Sequence, residues 1–359
     1  MNSSRRIRLE GKEYHAGNIR SFTEKISHSD WGKDLAQFIT EWLDDSTEIV
    51  VQTSGSTGLP KQIRLPKKMM TESALMTGRF LDLKTEDKAL LCLPARYIAG
   101  KMMVVRAFTL GLDLYSVPPA SIPEIEMDFE FTAMTPHQTS SIMHNQKEKL
   151  NRISKLIIGG GSIDDTLRDQ LQSVDAQCFL SYGMTETSSH IALQKINGPD
   201  KSERFELIDD RIRLILEEDG RLSITGSLLG EELVRTNDLV KMTGQHAFQW
   251  LGRADFVINT GGIKVHPEVL ENKIKDLIPV AFLISGIADP IYQQRIVLVL
   301  EPGIDKPQLL IDNILTRVLP HEKPVKMFEI NALPKTENGK IIRNINFETD
   351  VKLIWEKSS

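Results

Sequence analysis

The sequence predicts an α/β protein: a large N-terminal domain of mainly parallel sheets plus a short β-rich part, and a small α+β C-terminal domain. Between about residues 48 and 187, apolar runs that favour strands alternate with amphipathic stretches that favour helices. Such β-α-β alternation is typical of a parallel sheet covered by helices. After about Lys201 the pattern changes to short strands, beginning with a hairpin, RIRLILEEDGRLSITG, around an Asp-Gly turn.

Each element in the first part follows from its local pattern. An apolar stripe predicts a helical region over residues 20–47, and EIVVQ is a short strand at residues 48–52. The other expected strands lie at residues 62–65, 88–94, 113–117, 131–136, 155–161 and 176–187. The other expected helices lie at residues 67–81, 98–110, 137–149 and 163–172.

The last part of the chain reads as a separate unit. We expect helices at residues 267–277 and 306–318, strands at residues 281–287, 295–301 and 326–330, and a closing helix after a Gly/Asn-rich turn. The predicted division follows LGRAD, residues 251–255. It gives an N-terminal domain of residues 1–252 and a C-terminal domain of residues 253–359.

Composition and charge exclude several classes of protein. The net charge of -5 argues against a protein built to bind nucleic acid. Cys92 and Cys178 each lie in an apolar run, which predicts two buried thiols in a reducing compartment. The N-terminus lacks the apolar core of a secretory signal, and no stretch approaches the ~18 apolar residues of a membrane span. We therefore expect a cytoplasmic protein without an integral membrane segment, and a homodimer is one assembly that the sequence leaves open.

A loop rich in Ser, Thr and Gly follows the first strand. TSGSTGLPK, residues 53–61, combines hydroxyls and glycines that could hold an anion with the positive charge of Lys61. It does not match the nucleoside-triphosphatase motif, because Pro60 stands five residues after Gly55 and no Ser or Thr follows Lys61. Taken alone, such a loop is also compatible with a plain flexible turn.

Three further stretches of interest lie at strand ends, and a fourth contains an Asn-Gly turn. SYGMTET, residues 181–187, offers an aromatic ring that can stack on a nucleobase, hydroxyls that can bind phosphate and the carboxylate of Glu186 for Mg²⁺. GGG, residues 159–161, would let the backbone approach a flat ring. Asp238 could chelate ribose hydroxyls and Arg253 could hold ribose or phosphate. Lys340 follows an Asn-Gly turn in LPKTENGK, residues 333–340. A lysine in a turn is usually a solvated surface residue, so this stretch taken alone does not indicate a site.

Together and in this order, TSGSTGLPK, SYGMTET, the ND…GRAD stretch and LPKTENGK resemble the acyl- and aryl-adenylate-forming ligases over about residues 48–344. This superfamily includes acyl-CoA synthetases, peptide-synthetase adenylation domains and luciferases. The resemblance implies ATP, Mg²⁺ and coenzyme A as cofactor and substrates. It implies that Thr185 contacts the α-phosphate, that Glu186 serves the metal, that Asp255 is the hinge and that Lys340 is the catalytic lysine of a mobile C-terminal domain.

The resemblance also implies which residues bind the nucleotide. The residues implied to wrap the β- and γ-phosphates are Thr53, Ser54, Gly55, Ser56, Thr57, Gly58 and Lys61. Those implied to form the adenine pocket are Gly159, Gly160, Gly161, Tyr182 and Gly183. Those implied to bind ribose are Asp238 and Arg253. The chain departs from the family in three places. Asn237 replaces the usual Gly before the acid, Phe256 replaces a second acid after the hinge, and the part before the phosphate loop is much shorter.

Within the superfamily, LPARYIAGKMMVVRA, residues 93–107, is most similar to the o-succinylbenzoate–CoA ligases of menaquinone biosynthesis. The resemblance places Tyr97 and Gly100 at the acyl site and Arg106 against the second carboxylate of the substrate. Lys101 adds another cation, and a dianionic substrate needs such partners when it is buried. Both cations could instead face solvent.

Two alternatives remain open at this point. The enzyme could be another aryl- or acyl-CoA ligase or an amino-acid adenylating enzyme, although no acid for an α-amine stands in the stretch of Lys101 and Arg106. It could also be a non-catalytic nucleotide-binding relative, against which the retention of both Glu186 and Lys340 argues.

Overall fold

Helices and strands alternate through most of the chain. The computed structural model describes residues 6–52, 62–335 and 341–357. The chain divides into two units, the first formed by residues 1–215, 224–234 and 243–248 and the second by residues 216–223, 235–242 and 249–359. The predicted boundary after residue 252 stays a prediction.

The first unit contains the elements that begin the chain. Its described strands are β1 (Arg6–Leu9), β2 (Lys12–His15), β3 (Glu48–Gln52), β4 (Gln62–Pro66), β5 (Lys88–Leu91), β6 (Asp113–Ser116), β7 (Phe129–Met134), β8 (Ile153–Ile158), β9 (Gln177–Gly183), β10 (His190–Lys195) and β11 (Phe205–Leu207). Its described helices are α1 (Arg20–Ile26), α2 (Asp30–Leu43), α3 (Lys67–Phe80), α4 (Ile98–Leu110), α5 (Pro136–Asn145) and α6 (Asp165–Gln170). Four later strands contain or adjoin residues at which the division falls: β12 (Ile212–Leu216), β13 (Arg221–Gly226), β14 (Val234–Gly244) and β15 (Ala247–Arg253).

The main sheet of the first unit is largely parallel, which confirms the predicted fold class. Within it the strands lie in the order β11-β10-β9-β8-β7-β5-β6-β1-β2. The pairs from β9 through β8, β7, β5 and β6 to β1 are all parallel. Leu90 on β5 and Phe131 on β7 are completely buried, as expected where helices cover a parallel sheet.

The second unit is an α+β unit, as the sequence predicts. Its remaining elements are β16 (Ile258–Thr260), β17 (Ile263–Val265), α7 (Pro267–Ile274), β18 (Phe282–Asp289), β19 (Gln293–Leu300), α8 (Pro307–Arg317), β20 (Lys326–Glu329) and β21 (Lys352–Glu356). The strands lie in the order β17-β16-β19-β20-β21, and β18 pairs with β19. Along β19, Ile296 and Leu298 enter one buried cluster while Val297 and Val299 enter another, so both faces of this strand are covered.

One expectation about elements is wrong. Instead of a closing helix, the last described element is the strand β21, which pairs antiparallel with β20. Its sequence, KLIWE, is short and contains the β-branched Ile354 and the aromatic Trp355, and the pairing supplies backbone hydrogen bonds that β20 would otherwise lack on that side. The predicted helical region at residues 20–47 is confirmed and consists of two helices, α1 and α2. Ser29 caps α2 by accepting a hydrogen bond from the Gly32 N–H at 3.2 Å.

The N-terminal hairpin of β1 and β2 was not predicted. Its first strand joins the main sheet by parallel pairing with β6, from Arg8 opposite Asp113 to Leu9 opposite Leu114. This pairing extends the parallel sheet by a strand that precedes the first predicted helix. Among the helices that the structure describes, none is long and apolar enough to cross a membrane.

A buried carboxylate ties α3 to the segment after β11. Asp209, whose side chain is 6% exposed, accepts hydrogen bonds from Arg79 Nη2 at 2.8 Å and from Arg211 Nε and Nη2 at 2.9 Å. Arg211 also donates to Glu72 Oε2 at 3.0 Å. The hydrogen bonds from Arg211, more than any other cause, lower the pKa of Asp209 to about 2.

We expect Asp209→Asn to lower the free energy of unfolding at pH 7 by about 2 kcal/mol, because the pKa of this carboxyl lies about two units below its unfolded value. A depressed pKa contributes stability that is present above ~pH 4 and lost as the pH falls towards 2. The deficit of the variant should therefore shrink on acidification through this range. Urea unfolding at several pH values measures it, and Asp200→Asn, at an exposed pair with Lys195, is the control expected to change little. A deficit that does not depend on pH would contradict the assignment.

Candidate active site

Two of the predicted nucleotide-binding stretches meet at the carboxyl ends of β8 and β9. These strands are parallel, and Ile158 pairs with Leu180, so Gly159–Gly161 lie beside SYGMTET. A Cβ on Gly159 would stand 2.5 Å from Ser181 Oγ, which shows how closely the two stretches approach. The carboxyl ends of parallel strands are where α/β proteins place their ligands.

Tyr182 is held in an aromatic cluster. Its ring lies 4.9 Å from that of Phe248 and 5.8 Å from that of Phe205, measured between centroids, and the residue is buried. Gly183, the next residue, permits a close backbone contact, because a Cβ there would stand 2.2 Å from the carbonyl oxygen of Ser189. The turn at the end of β9 is therefore fixed by packing on both sides of the strand end.

The short helical turn Thr185–Thr187 presents Glu186 to solvent. Thr187 closes this turn, since its hydroxyl accepts from Met184 N–H at 3.0 Å and donates to the carbonyl of Ser189 at 2.7 Å. Glu186 is exposed, and within the described ranges no lysine or arginine forms an ion pair with it. An accessible carboxylate oxygen at this position fits Mg²⁺, which prefers hard oxygen ligands and commonly shares one or two carboxylates with substrate phosphates. Residues 6–52, 62–335 and 341–357 contain no cluster of three or more acidic, His or Cys side chains suited to a metal ion.

The start of α4 owes its shape to Gly100. Tyr97 occupies the N-cap position, and the Arg96 guanidinium lies 4.9 Å from the centre of its ring. A Cβ on Gly100 would stand 2.3 Å from the carbonyl oxygen of Pro94. Gly100 thus has a packing role at this turn, whatever it contributes to a substrate pocket.

Arg106 is buried, and no carboxylate in the part of the chain that the structure describes pairs with it. Its side chain is 2% exposed; Nη2 donates to Ser189 Oγ at 2.9 Å, and the guanidinium carbon lies 5.9 Å from the centre of the Phe131 ring. Among the described residues, Nε has no hydrogen-bond partner and no acid lies within ion-pair distance. Burial lowers the pKa of Arg106 to about 9, which is the expected consequence of removing a cation from water without an anion.

Lys101 faces a different neighbour. Its Nζ lies 4.2 Å from the centre of the Phe38 ring and 3.9 Å from Glu41 Oε2, both on α2. Burial holds the pKa of Lys101 below its usual value, while the charge of Glu41 acts in the opposite direction. The structure therefore does not bring Lys101 and Arg106 together, because their side chains leave different sides of α4.

A polar chain that the sequence reasoning missed continues from Arg106. Ser189 Oγ lies 3.4 Å from His190 Nδ1, and His190 Nε2 lies 3.0 Å from the Thr77 hydroxyl, which donates its own proton to the Ser73 carbonyl. Thr77 therefore accepts from His190, which fixes the neutral tautomer protonated at Nε2. Burial first, and then the charge of Arg106, hold the pKa of His190 well below its usual value. The only sequence signal was a polar residue opening the apolar run HIAL directly after SYGMTET.

The predicted ribose and hinge residues belong to the second unit. Asp238 is buried and accepts a hydrogen bond from the Trp250 indole N–H at 3.1 Å. Arg253 Nη2 donates to Asp255 Oδ2 at 2.6 Å, and Asn237 Nδ2 donates to the same carboxylate at 3.1 and 3.3 Å. Asn237, at the departure from the usual family pattern, thus binds the predicted hinge acid.

Two predicted stretches lie outside the described residues. The first is Thr53–Lys61; the structure describes its flanking strands β3 and β4, which pair antiparallel from Glu48 opposite Pro66 to Gln52 opposite Gln62. The second, residues 336–340, includes Lys340; on either side of it Lys335 and Ile341 form an isolated antiparallel bridge.

The first comparison with known proteins concerns the family. Residues 14–242 match the profile of a family described as AMP-binding enzyme. The chain belongs to this family. A probable 2-succinylbenzoate–CoA ligase from Mycobacterium tuberculosis is 25% identical over 339 residues, which cover 85% of each chain. A 2-succinylbenzoate–CoA ligase from Bacillus subtilis is 24% identical over 333 residues, covering 84% of this AMP-binding enzyme and 68% of the relative.

Solved structures agree with the fold. An acyl-CoA synthetase (AMP-forming)/AMP-acid ligase II-like protein from Dyadobacter fermentans is 35% identical with a TM-score of 0.62, covering 90% of this chain and 96% of that one. The o-succinylbenzoate CoA synthetase from Bacillus subtilis, solved with an acyl-adenylate intermediate, is 20% identical with a TM-score of 0.72, covering 86% and 70% of the two chains. The second likeness concerns the fold alone. The resemblance that the four motifs predict, to adenylate-forming enzymes, is confirmed.

We expect Gly100→Ala to destabilise the first unit by about 3 kcal/mol, because the new methyl group would meet backbone atoms of Pro94 that cannot move aside. Gly78→Ala is the matched control, also in a helix, where the Cβ meets only the flexible end of the Leu110 side chain. Its gain in helix propensity, about 1 kcal/mol, should offset that contact. Thermal unfolding of both variants tests the comparison, and equal melting temperatures would show that Gly100 has no packing role.

Proposed function

We propose that this AMP-binding enzyme is an ATP-dependent acid–CoA ligase that converts o-succinylbenzoate to o-succinylbenzoyl-CoA in menaquinone biosynthesis. The carboxylate first attacks the α-phosphate of ATP, so that a P–O bond forms and pyrophosphate leaves. The thiol of coenzyme A then attacks the acyl-adenylate, giving the thioester and AMP. The names of the two curated relatives described above support the reaction and the substrate.

The buried guanidinium of Arg106 is the observation that favours a dianionic substrate. This cation is 2% exposed, and its described side-chain hydrogen-bonding partners are a hydroxyl and a thioether. Its burial therefore lowers the stability of the folded protein. A second carboxylate on the substrate would supply the missing counter-charge and accept from two guanidinium nitrogens at once. The acid to be activated would then be the other carboxylate, oriented by this anchor.

The residues around β8 and β9 would receive the nucleotide. Gly159–Gly161, Tyr182 and Gly183 are proposed to border the adenine, and Thr185 to contact the α-phosphate. Asp238 and Arg253 are proposed to bind ribose, and the hydrogen bond from Trp250 would hold the Asp238 carboxylate in place for this purpose. The loop Thr53–Lys61 is proposed to hold the phosphates that leave as pyrophosphate.

Charge at the reacting phosphorus would be balanced by Lys340 and by Glu186 through its metal. Mg²⁺ bound to Glu186 would supply electrostatic stabilisation of the phosphates. Lys340, carried by a mobile C-terminal domain of residues 253–359, would place an ammonium group against the developing charge and help to exclude water from the adenylate. Rotation of that domain about Asp255 would then admit the thiol of coenzyme A. A cytoplasmic homodimer belongs to the same proposal.

We expect ATP–pyrophosphate exchange with o-succinylbenzoate in a panel that also contains benzoate, a fatty acid and amino acids. Arg106→Met should lower kcat/KM for o-succinylbenzoate about 10²-fold, because the variant lacks the buried partner of one carboxylate, and should leave benzoate nearly unchanged. The same variant should unfold at a higher temperature, since an unpaired buried cation is replaced by an apolar side chain of similar length.

Two results would contradict this proposal. Exchange with benzoate or a fatty acid but not with o-succinylbenzoate would remove the substrate assignment. A less stable Arg106→Met protein with unaltered o-succinylbenzoate kinetics would show that Arg106 serves the fold alone.

Lys340→Ala should lower the rate of adenylation about 10²- to 10³-fold while ATP binding persists, because one charge aimed at the transition state is lost. Asp255→Pro is the contrasting variant: adenylation should be largely retained and thioester formation lost, since only the second step requires rotation at the hinge. Pyrophosphate exchange measures the first step and thioester release the second. Lys352→Ala, at an exposed lysine on β21, is the control, and wild-type exchange in Lys340→Ala would exclude its catalytic role.

A further inference from the structure

A buried ion pair fixes the segment that follows Lys340. Arg343 donates to Glu271 through two parallel bonds, Nη1 to Oε1 at 2.7 Å and Nη2 to Oε2 at 2.5 Å. Nη1 also donates to the carbonyl of Ile284 at 3.2 Å, and the Ile284 N–H donates to Glu271 Oε1 at 2.7 Å. The two side chains are only 15% and 17% exposed, so this arginine joins α7 and β18 rather than facing solvent.

The same cluster reaches the stretch that contains the predicted hinge. The Arg343 guanidinium carbon lies 5.4 Å from the centre of the Phe256 ring. Arg343 Nε lies 3.7 Å from Glu268 Oε1, and a Cβ on Gly252 would stand 2.6 Å from Glu268 Oε2. Phe256 and Gly252 flank Asp255, so Arg343 and Glu268 contact the chain on both sides of it.

The electrostatics of the cluster make Arg343 hard to replace. Two carboxylates, Glu268 and Glu271, share one guanidinium. Glu268 Oε2 is buried and has no hydrogen-bond partner among the described residues, and burial raises the pKa of Glu268. Removal of the bidentate cation would leave both acids without compensation.

We propose that Arg343 is a positioning residue for adenylation, which anchors residues 341–343, directly after Lys340, to α7 and to Phe256 on the C-terminal side of the hinge, so that they rotate together about Asp255. The inference rests on the proposed role of Lys340. Arg343 is three residues beyond Lys340, a span of at most about 11 Å along an extended chain. Ile342, which lies between them, donates its N–H to the Pro334 carbonyl at 2.8 Å, so a second contact holds residues 341–343. An ammonium group that must meet a transition state needs such a support, because displacement by ~1 Å can cost 10²-fold in rate.

The decisive variant is Arg343→Lys, which keeps the charge but cannot form two parallel bonds to one carboxylate. We expect its rate of adenylation to fall about 10²-fold, while the KM values for ATP and the carboxylate stay within about twofold of wild type. Conversion of a supplied acyl-adenylate to the thioester should keep its wild-type rate, which a general loss of folding would not allow. Glu271→Gln, which keeps one acceptor oxygen, should show the same split to a smaller extent.

Arg317→Lys is the matched control. Arg317 also forms a bidentate pair in the second unit, with Asp276 at 3.0 and 2.8 Å, but both side chains are about half exposed. The variant should leave the rates of both half-reactions within about twofold of wild type, because exposed ion pairs contribute little to stability. Equal loss of both half-reactions in Arg343→Lys, or an unaltered rate of adenylation, would overturn the proposal.

Hydrogen exchange separates this inference from the proposed function. In Arg343→Lys the amide of Ile342 should lose protection, and this readout needs no catalytic activity. Retained protection would overturn the anchoring. If no carboxylate in the panel supports pyrophosphate exchange by the wild-type enzyme, the proposed function is overturned. Loss of protection at Ile342 in Arg343→Lys would still support the anchoring of the segment in that case.

Discussion

The parallel hydrogen bonding of β7, β8 and β9 is the constraint on which the candidate active site depends. Because these strands run in one direction and pair in register, the chain leaves all three at the same edge of the sheet. That edge receives the glycines after β8 and the turn after β9, stretches more than twenty residues apart in sequence. The exposed carboxylate of Glu186 and the packed ring of Tyr182 follow from where β9 ends.

Close backbone approach at that edge restricts which residues can stand there. Gly159 and Gly183 each face an atom that a Cβ would meet at 2.5 Å or less. Their lack of a side chain therefore serves packing between strands as much as approach to a ligand. Gly160 is different, because a Cβ there would have open space around it. Its φ of +84° alone accounts for glycine at this position.

Buried cations are the second theme of the first unit. Arg106 and Lys101 leave the same helix, yet Lys101 rests on the Phe38 ring near Glu41, whereas Arg106 begins a chain of hydroxyls and imidazole that ends at Ser73. Burial and the charge of Arg106 hold the pKa of His190 well below its usual value, so His190 adds no second charge beside Arg106 at neutral pH. Arg106 thus belongs to a polar cluster and still has one guanidinium nitrogen, Nε, without a hydrogen-bond partner among the described residues.

The fold class, the order of most helices and strands and the family could all be predicted from the sequence. Periodicity reports which face of an element is buried, and the four motifs are local stretches whose chemistry can be read from their residues. Sequence reasoning failed at the last described element, because the pairing of KLIWE with β20 is not visible in the local sequence pattern.

Which charges are paired could not be predicted from the sequence and follows from the folded structure. Arg106, Lys101 and Arg343 are all basic residues that look alike in the sequence. In the structure Arg106 is buried without an acid among the described residues, Lys101 packs on the Phe38 ring and Arg343 forms an ion pair with Glu271. These differences depend on contacts between residues distant in sequence, such as Arg106 with Ser189, which no spacing rule records. The physical reason is that the free energy of a charge depends on its solvent exposure and its neighbours, and folding sets both.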